Sequence, residues 1–141
     1  MRNIAKTYSI DKETGLRIDI WEYPLEALRE AIINALIHRD YTIYSPIYIK
    51  IYDDKLIITN PGRLLAPLTI EDLHKEHPSI LRNPNIANIF YLAGYIEKWG
   101  VGTLKIIEEC KKHKLPTPEF KIEKNFLVRL VIAFCLFFQC G

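Results

Sequence analysis

The sequence predicts an α/β fold, a two-layer sandwich in which a mixed, largely antiparallel sheet packs against helices. Three observations predict it: apolar residues at helical spacing after Tyr23-Pro24, a period-two hairpin over 47–59, and a second helical run after Gly100-Val101-Gly102. With 141 residues, 49% of them hydrophobic, the chain is long and apolar enough to bury one core. The expected organisation is an N-terminal leader over 1–22, a domain over 23–130 and an apolar tail over 131–141.

Within the leader, Leu16, Ile18 and Ile20 alternate as a short strand does. Pro24 suits the first turn of a helix that runs to about Arg39. On that helix Leu25, Leu28, Ile32, Ala35 and Leu36 form one apolar stripe, and Glu30, Asn34 and His38 lie four apart on the opposite side. Ala27, Ala31, Ile33 and Ile37 flank the polar trio, so the helix is apolar around most of its circumference and is expected to be covered on more than one side. Ile47, Ile49 and Ile51 alternate with Tyr48, Lys50 and Tyr52. Asp53-Asp54 then turns the chain into Lys55–Thr59, which ends at Asn60-Pro61-Gly62. Thr69 and Asp72 have capping-box spacing for a short helix, and Asn83-Pro84 opens another that Gly94 closes. Thr103 is the expected N-cap of the run Leu104–Cys110. Pro116 and Pro118 end that region, before strands at Phe120-Lys121-Ile122 and Phe126-Leu127-Val128.

Charge narrows the function classes. Nineteen basic and 17 acidic residues are interspersed and leave a net charge of +2, so direct nucleic-acid binding by bulk charge is not expected of this chain alone. Lys111, Lys112 and Lys114 beside His113 form a small basic group that a solvated helix end explains. Three cysteines, Cys110, Cys135 and Cys140, are odd in number and irregular in spacing, which points to a reducing compartment, the cytoplasm by default. Met1–Lys6 carries no apolar run of the secretory type. The apolar segment 126–138 is interrupted by Arg129 and is shorter than the roughly 18 residues that a membrane span needs. It reads as a buried strand entering a tail, with membrane association of that tail as the alternative.

Chemistry concentrates at three places. Glu30 and Asn34, one helical turn apart, can project toward one point, where Asn34 can ligate Mg²⁺ and Glu30 can orient a water as general base; pairing of Glu30 with Arg29 or Arg39 is the plainer reading. Gly100-Val101-Gly102 before a helix offers backbone N–H groups of the kind that receive phosphate, or is an ordinary turn. Asn60-Pro61-Gly62 lets the backbone approach a ligand closely, with the same alternative. His38 can orient a water or a phosphate or be satisfied locally, and Asp40 and Tyr41 shape the turn that follows. Trp99 is expected to pack on the sheet, with a nucleotide cover as the alternative. Two pairs, His74 with His77 and Cys110 with His113, lack a four-ligand zinc spacing.

The order of these pieces carries a resemblance. The segment Tyr23–Tyr41 resembles the opening motif of a GHKL-type (Bergerat-fold) ATPase family of helicase-related proteins and transcriptional regulators. Asp53–Gly62, Arg82-Asn83-Pro84 and Ile96–Gly102 resemble its later motifs. The resemblance implies an ATP site: Glu30 activates water, Asn34 holds Mg²⁺, the Asn60–Gly62 turn meets adenine, and Gly100 and Gly102 approach the phosphates, with His38 and Thr103 beside them. Two departures stand out. Asn60 replaces the Asp that well-studied GHKL ATPases use to bind the adenine amino group. The glycine-rich lid is short, and the lysine that related ATPases recruit from another domain is absent, so slow turnover is implied. No Gly-x-x-x-x-Gly-Lys-Ser/Thr loop is present. The AlbA-type and winged-helix domains common in the family do not fit in this length. A non-catalytic regulatory module that keeps the fold is the alternative function; homo-oligomers and partner domains stay open.

Overall fold

The computed structural model describes residues 4, 6–124 and 127–133. Of the expected tail over 131–141, residues 131–133 belong to a strand, while the part from Phe134 onward, with Cys135 and Cys140, and the strand start at Phe126 lie outside the described residues. A 3₁₀ turn at Glu71–His74 interrupts the order β1 (Lys6–Ile10), β2 (Arg17–Trp21), α1 (Leu25–His38), β3 (Tyr48–Ile51), β4 (Lys55–Pro61), α2 (Pro84–Leu92), α3 (Gly102–Lys112), β5 (Glu119–Glu123), β6 (Leu127–Ala133).

Four strands form the main sheet in the order β3-β4-β6-β5. Every described pairing in it is antiparallel, in line with the largely antiparallel sheet expected. The alternation of side chains fixes the register. Leu56 pairs with Ile132, Ile58 with Leu130 and Asn60 with Val128, so one face presents a continuous apolar patch that ends in a single amide. The other face carries Tyr48, Lys50, Lys121 and Arg129, the alternation of a sheet covered on one side. Helices α1 and α3 cover the apolar face, and the core they enclose includes Tyr23, Ala31, Leu56, Ile106, Cys110 and Ile132, each at most 3% exposed.

Helix α1 is covered on two sides, as expected, but the buried stripe differs from the predicted one. Ala27, Ala31 and Ala35 form a buried ridge with Leu28, whereas Leu25 is 49% and Ile32 41% exposed. When apolar residues surround a helix, periodicity cannot rank its faces, and small side chains win the face where a second helix approaches closely. Ile33 and Ile37 instead join Ala87 of α2 in a second cluster, packed by Leu81, Ile86, Phe90 and Ile96. The polar row Glu30, Asn34, His38 thus runs along a seam between two apolar clusters.

The connections follow their turn chemistry. Asp72 accepts from both the backbone N–H and the hydroxyl of Thr69, each at 2.9 Å, which holds its carboxyl down at about 2, the backbone bond contributing most. Gly94 closes α2 with φ +78° and donates to the carbonyl of Tyr91. Helix α3 begins one residue before its expected cap: Val101 is the N-cap, makes no side-chain cap, and Thr103 sits inside the first turn. Residues 6–21 form a separate two-stranded hairpin in which Tyr8, Ile10, Leu16 and Ile18 stay exposed, and the Trp21 carbonyl accepts from His113 at 2.7 Å.

Candidate functional site

All eight residues singled out as catalytic or ligand-binding, Glu30, Asn34, His38, Asn60, Gly62, Gly100, Gly102 and Thr103, line one cavity between the sheet and the helices. Its volume of about 160 Å³ exceeds the roughly 10–15 Å³ that one water needs, which leaves room for several waters or a small chemical group. Sequence segments as distant as α1, β4, α3 and β6 meet there.

Glu30 and Asn34 project together from α1. The Asn34 amide donates to Glu30 Oε1 at 3.4 Å, and Lys105 of α3 approaches Glu30 Oε2 at 3.6 Å. The two arginines expected as plainer partners are engaged elsewhere: Arg29 with Glu26 at 3.2 Å, Arg39 with the Ser45 carbonyl at 2.7 Å. Burial pushes the Glu30 carboxyl above its ordinary range, with the Lys105 ammonium pulling in the opposite direction. A carboxylate made more basic by burial is a better proton acceptor near neutral pH than an exposed one.

The glycines act at close approaches. A Cβ on Gly102 would lie 2.5 Å from Asn34 Nδ2 and 2.8 Å from Glu30 Oε1, so the first turn of α3 rests directly on the carboxylate and amide of α1. Gly100, at φ +76°, turns the chain where a Cβ would lie 2.5 Å from the His77 carbonyl oxygen. Gly62, at φ +123°, faces the backbone of Asp40, whose N–H donates to the Pro61 carbonyl at 2.8 Å. That last glycine has a complete explanation in protein packing.

Asn60 lies on the helix-facing side of β4 and is nine-tenths buried. Its Oδ1 is buried with no hydrogen-bond partner among the described residues. An unmet buried acceptor is uncommon and marks a place where a ligand donor fits. His38 has its pKa lowered by burial, with His77 and Arg82 adding to the effect, so its neutral form is favoured. Thr103, displaced from the cap, approaches His77 Nε2 at 3.4 Å. Trp99 stacks on Tyr91 at 5.6 Å and forms part of the cavity wall.

His77, Arg82, Arg63 and Lys98 also line the cavity and were not anticipated. Arg82 belongs to a motif that was noted, yet its partners, the Asp40 carboxylate at 3.3 Å and the Arg63 carbonyl at 2.8 Å, are distant in sequence. Of the paired metal-ligand candidates, His74 packs edge-on against Phe120, and Cys110 is buried with its thiol pushed up to about 11, first by desolvation. Among the described residues no three His, Cys, Asp or Glu side chains converge as metal ligands. Lys112 of the small basic group at the end of α3 is paired with Glu108 and Glu109. No helix of the described residues is long and apolar enough to cross a membrane.

The family described as "Putative ATP-dependent DNA helicase recG C-terminal" matches residues 45–132, more than half of the chain. The chain belongs to this family. The recG C-terminal match takes in Asn60, Gly62, Gly100, Gly102 and Thr103, while Glu30, Asn34 and His38 precede it. No curated protein matches the sequence. Among solved structures, the DIP2311 protein from Corynebacterium diphtheriae is similar with a TM-score of 0.78 and 25% identity over 92% of this chain. The chain spans 26% of that protein, about a quarter of its length.

Proposed function

We propose that the cavity binds Mg²⁺-ATP in the manner of a GHKL domain, and that the chain is a slow ATP hydrolase within a helicase-related or transcription-regulating protein. One observation carries the reading. The carboxylate and amide of Glu30 and Asn34 lie against the uncapped first turn of α3, inside the cavity whose sheet wall holds the unmet amide oxygen of Asn60. A helix N-terminus attracts phosphate oxygens, and the words "ATP-dependent" in the family description agree with that chemistry.

The residues present fit the metal and the nucleotide. Asn34 offers one neutral oxygen, and Mg²⁺ ordinarily takes its other ligands from phosphates and water rather than from a cage of side chains. Bound there, Mg²⁺ would offset charge on the phosphate oxygens. Glu30 then orients a water and takes its proton, helped by the burial that raises its basicity. His38 and Thr103 hydrogen-bond to ligand oxygens, Gly100 and Gly102 let the backbone come close, and the Asn60–Gly62 strand end meets the base.

The Lys105–Glu30 pair favours a second reading, a regulatory domain that binds nucleotide without turning it over, because the ammonium holds the base. Isothermal titration with Mg²⁺ and a non-hydrolysable ATP analogue tests the proposal. The wild type binds, Asn34→Ala weakens binding at least about tenfold, and Glu30→Ala retains binding while losing hydrolysis. A folded wild type that binds no analogue would refute the site.

A further inference from the structure

The two oxygens of the Glu30 carboxylate have different neighbours. Oε1 lies against Asn34 and the first turn of α3: it accepts from the Asn34 amide at 3.4 Å, and a Cβ on Gly102 would stand 2.8 Å from it. Oε2 meets the Lys105 ammonium at 3.6 Å. Glu30 lines the cavity, whereas Lys105 is not among the described residues that do. The Lys105 backbone N–H donates to the Val101 carbonyl at 2.9 Å, the bond that starts α3, so this lysine stands on helical backbone and reaches across to α1. The Glu30 side chain is 13% and the Lys105 side chain 38% exposed, an ion pair with its acidic end in the interior. A cation this close to a helix N-terminus gains nothing from the helix dipole, so the local sequence of α3 does not account for it. The carboxylate on the facing helix does.

We propose that Lys105 is a positioning residue for hydrolysis: it anchors Oε2 of Glu30 from behind the cavity wall and leaves Oε1 aimed at the attacking water. The inference rests on the hydrolase reading of the cavity and adds to it a residue that touches neither nucleotide nor water. In the step that Glu30 serves, the water oxygen bonds to the terminal phosphorus and the water proton passes to Oε1. The bond to the bridging oxygen breaks, and its electron pair stays on the nucleoside diphosphate. Such a proton transfer needs the acceptor oxygen within hydrogen-bond reach of the water. A Glu side chain turns about several torsions, and fixing one carboxylate oxygen removes most of that freedom from the other. An ammonium that only restrained the base would slow turnover instead, so the sign of the change on removing it separates the two roles.

Phosphate release from Mg²⁺-ATP by the whole chain tests this, with folding of each variant checked by thermal melting. Lys105→Met should lower kcat by about tenfold or more and keep KM within about threefold of wild type, because the groups that meet the nucleotide are untouched. Lys105→Arg keeps a cation in reach of Oε2 and should bring kcat back to within about threefold of wild type. In a Glu30→Gln background, Lys105→Met should leave the residual rate unchanged, since the lysine acts through the carboxylate alone. A kcat of Lys105→Met equal to or above the wild type overturns the proposal and leaves the hydrolase reading standing. So does a loss that lies wholly in KM, or one that recurs undiminished in the Glu30→Gln background. A folded wild type that releases no phosphate overturns the hydrolase reading itself, and the role of Lys105 with it.

Discussion

Gly102→Ala separates the site from the fold. Gly102 has no positive φ, so its backbone accepts alanine, and a helical Gly→Ala exchange by itself stabilises by about 0.5–1 kcal/mol. The new methyl would lie 2.5 Å from Asn34 Nδ2 and 2.8 Å from Glu30 Oε1. Both are ends of flexible side chains, which yield cheaply, so the melting temperature should change little. The Asn34 amide must nevertheless retreat by roughly 1 Å, and a misplacement of that size in a site costs on the order of a hundredfold in function. Binding of the Mg²⁺ complex of a non-hydrolysable ATP analogue, followed by titration calorimetry, should therefore fall steeply in a protein that melts like the wild type. Gly100→Ala is the control with the opposite outcome. At φ +76° it incurs a left-handed penalty of roughly 1–2 kcal/mol, and its methyl meets the His77 carbonyl at 2.5 Å, backbone that cannot swing aside. It should unfold at clearly lower urea. Undiminished binding by Gly102→Ala would sink the argument, because the geometry of Glu30 and Asn34 would then be irrelevant to the ligand.

Two further outcomes follow from the same structure. Burial raises the folded-state pKa of Glu30 above its ordinary 4.5, so its contribution to stability is complete below the unfolded value and is lost as pH rises through the folded one. Glu30→Gln should accordingly be the more stable protein at neutral pH and lose that advantage toward acid in urea titrations run across pH; a pH-independent difference would show that desolvation of the carboxylate is not the cause. Asn83 donates from one amide to the carbonyls of Ile37 and Arg39, each at 2.7 Å, where α1 ends. Asn83→Ala should lose about 1 kcal/mol per bond, read as a lower urea midpoint with an unchanged slope, and a midpoint equal to wild type would mean that water replaces both bonds.

Local chemistry made much of the fold legible. The α1 boundaries, the β3–β4 hairpin and the Gly94 stop rest on patterns within a dozen residues of each other, and the structure has them. Strand β1 was missed although Tyr8 and Ile10 alternate with Thr7 and Ser9, because nothing in so polar a segment announces a partner that begins seven residues after its end. The stripe read on α1 from 3.6-residue spacing, Leu25, Leu28, Ile32, Ala35 and Leu36, holds for Leu28 and Ala35, whereas Leu25 and Ile32 are exposed and Ala27 and Ala31 complete the buried ridge on which α3 lies. At the site, the polar row of α1 and the two glycine turns were readable as motifs. Lys105, His77 and Arg82 were not readable as neighbours of that row, since their positions depend on how α3 and the loop before α2 fold back over the cavity. Thr103 was placed as a cap by residue type, but the helix starts at Gly102 and no side chain caps it.

The two tryptophans divide the molecule's intrinsic fluorescence between two events. Trp99 forms part of the cavity wall while stacked on Tyr91, so its emission reports what enters the cavity. Trp21 ends the hairpin, under the Lys6 ammonium at 5.1 Å from the ring centroid, on a ladder of only two strands whose apolar side chains face solvent. Such a ladder opens at lower cost than the four-stranded sheet. A fluorescence melt of the whole chain is consequently a sum of two signals. Removing Trp21 as Trp21→Phe leaves a single-tryptophan protein whose spectrum belongs to the cavity alone.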